Sequence, residues 1–181
     1  MPSFPSPLIM SVRLELREFS LADADLIREV AANAEPEALP PGAPSDPERI
    51  ADWLAADQRF PEPEGTAVHL MMLDRSLGRI VGGISVFHAD WETRSAEIGY
   101  GVRADQRGQG YATEALAAVS QWALTEGGLQ RAWLSTIAEN VASQRVAEKA
   151  GFRLEGTLRR AGLEDDGLHD LLIFALLDDE I

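Results

Sequence analysis

Eleven residues in mid-chain, Val102 to Ala112, narrow the fold more than any others. An extended run from Ser95 leads into them, and a stripe of helical period opens near Gly110. Strand, arginine-bearing glycine loop, then helix is how a chain builds an anion cradle. Glycine lets the backbone approach a ligand closely, and the first N–H groups of a helix have no partner inside it. Val102, Arg103, Arg107, Gly108, Gln109, Gly110, Tyr111 and Ala112 are therefore candidates to hold a phosphate-bearing ligand. No Lys-Ser or Lys-Thr follows the glycines, which excludes a P-loop. Thr113 stands where a dinucleotide fingerprint needs its third glycine, and no early βαβ unit contains the loop.

The rest of the chain alternates strand and helix patterns. Val12 to Phe19 alternates apolar and polar residues as a half-buried strand does. Ser20 caps a helix to about Asn33, with Asp23 in its first turn. Five prolines between residues 34 and 47 make a loop, and a short helix runs from Pro47 to Asp57 with Ile50, Trp53 and Leu54 on one face. Another break covers Pro61 to Gly65. Ala67–Leu73 and Arg79–His88 read as a hairpin, followed by the strand Ser95–Val102. On that last strand Ile98, Tyr100 and Val102 share a face that reads as core. Glu97, Gly99 and Gly101 share the other, an acid beside two positions without side chains and so a floor for a ligand. A helix from Gly110 to Glu126 ends at Gly127-Gly128, and Arg131–Ile137 is a strand. Asn140 caps a helix to Ala150, with Gly151 after it. Phe152–Arg160 and Leu168–Leu177 close the chain around a loop at Ala161–Gly167. The order β-α-α-β-β-β-α-β-α-β-β predicts an α/β fold, one mixed sheet flanked by helices. Residues 1–11 read as a disordered tail and 12–181 as one domain.

Composition excludes several classes. With no cysteine there is neither a disulfide nor a thiolate nucleophile, and His69, His88 and His169 lack metal-ligand spacing, so no metal is expected. Thirty acidic against sixteen basic residues, a net charge of −14, argue against nucleic-acid binding and favour either a cationic partner or mere solubility. No run is long enough to span a bilayer, and the first residues lack the features of a signal peptide, so a cytoplasmic protein is expected. Lys149 is the one lysine, a skew of the kind found in GC-rich bacterial genomes.

Two motifs carry a family resemblance. Arg107-x-x-Gly110-x-Ala112, preceded by Glu97-Ile98-Gly99-Tyr100, resembles the acetyl-CoA pyrophosphate loop of the GNAT N-acetyltransferases, (Gln/Arg)-x-x-Gly-x-(Gly/Ala). Asn140-x-x-Ser143, followed by Gly151-Phe152 and Glu155-Gly156, is similar to the ribosomal-protein (RimJ/RimL-like) branch of that family. Leu158-Arg159 and His169-Asp170 fit the same branch. The resemblance runs from Val12 to Leu177, and the predicted order of elements is that of the GNAT fold.

The resemblance implies direct transfer of acetyl from acetyl-CoA to an amine, either a protein N-terminal α-amine or a small amine. Backbone N–H groups from Arg107 to Ala112 would hold the pyrophosphate. Asn140 would bond the pantetheine arm, and Ser143 would protonate the leaving thiolate. Arg103, Arg145 and Lys149 would reach the nucleotide phosphates or stay solvated. An amine attacks only when neutral, which at pH 7 costs an α-amine about 1.4 kcal/mol and a lysine about 4.6 kcal/mol. Glu97 is the candidate base, with its pKa raised by partial burial; the alternative is a carboxylate paired with Arg94 or Arg103. Many GNATs place a tyrosine acid just beyond the second motif, and this chain has Phe152 there. Asn140 and Ser143 also read as a plain helix cap and first turn. Two other classes stay open: a non-catalytic acyl-CoA-binding module, and a nucleotide-binding protein. The acceptor would sit under the Asn33–Phe60 segment and the Ala161–Gly167 loop, whose Glu164, Asp165 and Asp166 either meet a cationic acceptor or are a solvated turn. A homodimer is among the arrangements the resemblance allows.

Overall fold

The computed structural model describes residues 3–33, 38–56 and 65–181. Its strands are β1 (Leu8–Met10), β2 (Leu14–Glu18), β3 (Val68–Asp74), β4 (Arg79–Asp90), β5 (Ser95–Val102), β6 (Arg131–Ile137), β7 (Arg153–Glu164) and β8 (Gly167–Leu177). The helices are α1 (Ala24–Ala32), α2 (Ile50–Ala55), α3 (Tyr111–Leu124) and α4 (Val141–Lys149). They form a mixed α/β fold with one eight-stranded sheet, ordered β1-β2-β3-β4-β5-β6-β8-β7. Every pair is antiparallel except β5 with β6.

Period-2 alternation decides which face each strand buries. On β5, Ala96 and Ile98 enter the core beneath α3, where Ala115, Leu116, Val119 and Ala123 are fully buried. On the opposite face Met71 and Ile80 pack with Phe19, Ile27, Val30, Ile50 and Leu54, so α1 and α2 cover that side. Asp23 organises the entry to α1. Its carboxylate accepts from Ser20 N (2.8 Å), Ser20 Oγ (2.7 Å) and the Arg17 guanidinium (2.7 and 2.8 Å).

Two expectations need correction. The leading segment is not a free tail: Leu8–Met10 adds an eighth strand, with Ile9 opposite Leu16, and Phe4 lies between Trp91 (4.8 Å) and Trp122 (5.8 Å). Pro5 and Pro7 precede this strand rather than interrupt it, which an edge position tolerates. The last hairpin is also longer than expected. Gly162, Leu163 and Glu164 stay paired because a bulge between Leu158 and Gly162, with Arg160 at φ 54°, absorbs the extra residues. Only Asp165 and Asp166 remain as its turn. The proline-rich loop and the second break fall partly on residues 34–37 and 57–64, outside the described residues.

Candidate active site

The site begins where the sheet opens. β5 and β6 pair at Ser95–Arg131, Ala96–Ala132 and Glu97–Trp133 and no further, although β5 runs on to Val102 and β6 to Ile137. β4 follows the outer edge of β5 as far as Val102, and β8 follows that of β6 as far as Ile137. The two inner edges therefore part into a cleft. Because the strands are parallel, α3 and α4 both start at its wide end. Their N-terminal dipoles and unpartnered N–H groups favour negative charge there.

The glycine loop borders that end. Gly108 (φ 76°) and Gly110 (φ 86°) are both left-handed, and Gly110 precedes α3 with no side chain capping the helix. A Cβ on Gly108 would meet nothing within 4 Å, so the backbone faces open space. Arg107 Nε donates to Val102 O (3.1 Å), which folds the loop back on the strand end. Tyr111 contributes backbone only, since its ring is buried and its hydroxyl donates to Asp74 (2.7 Å). Arg103 is placed otherwise than the sequence predicts. Its side chain is 3% exposed and turns toward Glu29 and Asp105 (both 3.4 Å) and Ile80 O, so it supports α1 instead of reaching a ligand. Arg145 and Lys149 lie one turn apart, exposed on α4.

Across the cleft, Asn140 Oδ1 accepts from Ser143 N (3.0 Å) and so fixes the start of α4. Ser143 Oγ lies 2.8 Å from the Tyr100 hydroxyl. Strand parity assigns Tyr100 to the core, yet its ring is half-buried and its hydroxyl spans the gap between β5 and α4. A tyrosine on an apolar face needs a partner for its hydroxyl, and that signal was available in the sequence. Burial raises the Tyr100 pKa against the opposing Ser143 bond, so the phenol keeps its proton at neutral pH. Glu97 is 15% exposed; Ser135 Oγ donates to its Oε1 (2.9 Å), and His88 Nδ1 lies 3.4 Å from its Oε2. Neither Arg94 nor Arg103 is the partner considered for it: Arg94 Nε donates to Gly128 O. Phe152, just beyond the second motif, is buried and has no proton to donate.

The acetyltransferase (GNAT) domain model matches residues 13–153, most of the sheet and both cleft helices. This chain is a GNAT acetyltransferase family member. The ribosomal-protein-serine acetyltransferase of Escherichia coli (strain K12) is 32% identical over 100 residues, 55% of this chain and 56% of that one. The chain thus spans about half the length of that curated relative. The uncharacterized N-acetyltransferase p20 of Bacillus licheniformis is 27% identical over 169 residues, 93% of this chain and 94% of its own. Among solved structures, Mycobacterium smegmatis RimJ in complex with CoA-disulfide superposes with a TM-score of 0.75 at 25% identity, over 100% of this chain and 92% of that one. Within the GNAT family the chain stands in the RimJ/RimL-like branch.

This GNAT loop is braced by a residue the sequence gives no reason to single out. Arg13, just before β2, donates to Gln109 O (3.0 Å) and to Glu114 (2.7 Å), and its guanidinium lies 4.3 Å from the Tyr111 ring centre. These partners sit about a hundred residues away in the chain, beyond the reach of local pattern. Arg13→Ala is expected to raise the acetyl-CoA Kd about three- to tenfold, the worth of one charge-assisted hydrogen bond to the loop, as read by calorimetry.

On the α1–α2 face of the GNAT sheet, next to Glu97, lies a trough of about 360 Å³. Gly83, Ser85, Gly99 and Gly101 floor it, and Phe19, Leu39, Pro40 and Pro41 stand over it. The acids of the last hairpin lie elsewhere. Asp166 is bound to His169 Nε2 (2.8 Å), whose Nδ1 faces Glu139 (3.3 Å). Among the described residues no cluster of three or more His, Asp or Glu could hold a metal, and no helix is long and apolar enough to cross a membrane.

Proposed function

We propose that this chain transfers acetyl from acetyl-CoA to a primary amine, a protein N-terminal α-amine or a small amine. The observation that carries the reading is the Tyr100–Ser143 hydrogen bond at 2.8 Å across the open cleft. It sets a protonated hydroxyl pair beside the mouth where Gly108, Gly110 and two helix starts receive an anion. Backbone N–H groups of residues 107–112 hold the pyrophosphate, and the unpaired edge of β5 offers its amides to an extended pantetheine arm. The cleft fits such a ligand, since it is long, backbone-lined and positive at one end.

Bound acetyl-CoA supplies an activated acetyl thioester, whose C–S bond breaks as the amine nitrogen takes the acetyl group. Ser143 Oγ delivers a proton to the departing sulfur and is resupplied by the Tyr100 hydroxyl, one short hydrogen bond away. Glu97, held by Ser135, receives the proton that the amine loses, directly or through water. An α-amine suits this base better than a lysine, because fewer of its molecules are protonated at neutral pH.

Thiol release from acetyl-CoA against a panel of N-terminal peptides, polyamines and aminoglycosides tests the reading. Turnover with mass-verified acetylation of at least one amine is expected. Acetyl-CoA binding without transfer to any amine would make the chain a binding module, and no binding at all would discard the site.

A further inference from the structure

We propose that the trough beside Glu97 receives the side chain next to the acceptor amine and selects an uncharged, mainly apolar one. The inference rests on the transferase reading above and names the acceptor class of that same site. Its position is the first support. Gly99 is the next residue after Glu97 on the same face of β5, and Tyr100, which borders the trough, holds Ser143. Phe87, paired opposite Glu97, lies with its ring against Gly99 and walls the trough on the Glu97 side, so an amine at Glu97 carries its neighbouring atoms past Phe87 and over Gly101.

The lining is the second support. The volume exists because the floor positions Gly83 and Gly101 have no side chain, while the Phe87 ring rests on Gly99 and forms a wall. Phe19, Leu39 and Pro40 close it from above with carbon. Among the described residues that line it there is no Asp, Glu, Lys or Arg. A charged group entering would lose its hydration without meeting a counter-charge among those described residues. The polar feature is His69, 3% exposed, with Nδ1 2.8 Å from Ser85 Oγ. At about 360 Å³ the trough is at the small end for ligand pockets, about 300–1,000 Å³, and suits one side chain better than an aminoglycoside ring system. The net charge of −14 is therefore a poor guide to the acceptor.

The wild-type chain should be given peptides that differ in the first residue alone (leucine, glycine, lysine or aspartate), and spermidine. The leucine peptide should exceed the glycine, lysine and aspartate peptides and spermidine in kcat/KM by about tenfold or more, the scale of discrimination an apolar pocket delivers. A second variant locates the effect. At Gly83 an added Cβ would meet only Leu70 O, at 3.7 Å, so Gly83→Leu fills the trough from its floor. It should collapse the leucine-over-glycine preference in kcat/KM and in peptide Kd measured by calorimetry. A preference for lysine or spermidine overturns the inference, as does a leucine preference that survives in folded Gly83→Leu. Should that variant not fold, the wild-type ranking decides alone. Acetylation of no amine at all would instead defeat the transferase reading, and the inference with it.

Discussion

Ser143→Ala lowers kcat for acetyl transfer by about 10²-fold or more, within the range of a positioned general acid, and leaves the acetyl-CoA Kd within about twofold. The split follows from where the side chain sits. Its Oγ touches the Tyr100 hydroxyl and plays no part in the cap, because Asn140 accepts from the Ser143 backbone N–H, which alanine retains. Helix α4 therefore starts unchanged in the variant while the proton donor is gone. Tyr100→Phe removes the resupplying group alone and should cost less, about tenfold. Stopped-flow thiol release with a saturating amine reads both. A Ser143→Ala enzyme within threefold of wild type would assign the proton to another group.

Asp74→Ala should be the most destabilising single change near the site, by about 3 kcal/mol, or a Tm lower by about 6–12 °C. The carboxylate is 1% exposed and gathers four donors: Ser76 N (2.8 Å), Ser76 Oγ (2.6 Å), Leu77 N (2.9 Å) and Tyr111 Oη (2.7 Å). Alanine leaves the Tyr111 hydroxyl buried without its acceptor and frees the first residue of α3, so acetyl-CoA affinity falls as well. Burial alone would raise the Asp74 pKa, but the bonds from Ser76, Tyr111 and Leu77 outweigh it and hold the carboxyl well below its ordinary range. A depressed folded pKa means stability that is complete above the unfolded value, about 3.9, and is lost as pH falls from there toward the folded value. Wild type should thus lose Tm steeply below about pH 4, and Asp74→Ala should lose less over that interval. Thermal melts from pH 7 to 2.5 measure both slopes. Equal slopes would show that Asp74 is not the linked group.

Much of this molecule is legible without coordinates, for reasons that differ by element. Strands β5 and β6 announce themselves because each alternates, β3 and β4 because two apolar runs flank a turn, and α3 because Ala115, Leu116, Val119 and Ala123 recur at helical spacing. Asn140 and Ser143 are legible because a cap is a local device, complete within four residues. What escapes is set by tertiary partners. β1 is three residues long and exists because the edge of β2 accepts it. Arg103 reads as a phosphate ligand by its place in the loop, but its side chain turns back beneath α1 toward Glu29. Parity puts Tyr100 in the core and takes no account of a hydroxyl that reaches past the edge of its own strand. The trough is half legible: Gly99 and Gly101 predict its floor, whereas its roof comes from Phe19 and a proline loop distant in sequence.

The sheet is joined at its centre by three residue pairs, with β1–β5 on one side of the seam and β6–β8 on the other. The amides left idle along that seam are those a guest of peptide-like shape can use. Such a guest adds the missing rungs, so resistance to heat rises with ligand occupancy. At a hundred times its Kd it contributes about 2.7 kcal/mol to the folded state. In a starved cell, where that guest is scarce, the same chain would be a softer and shorter-lived protein.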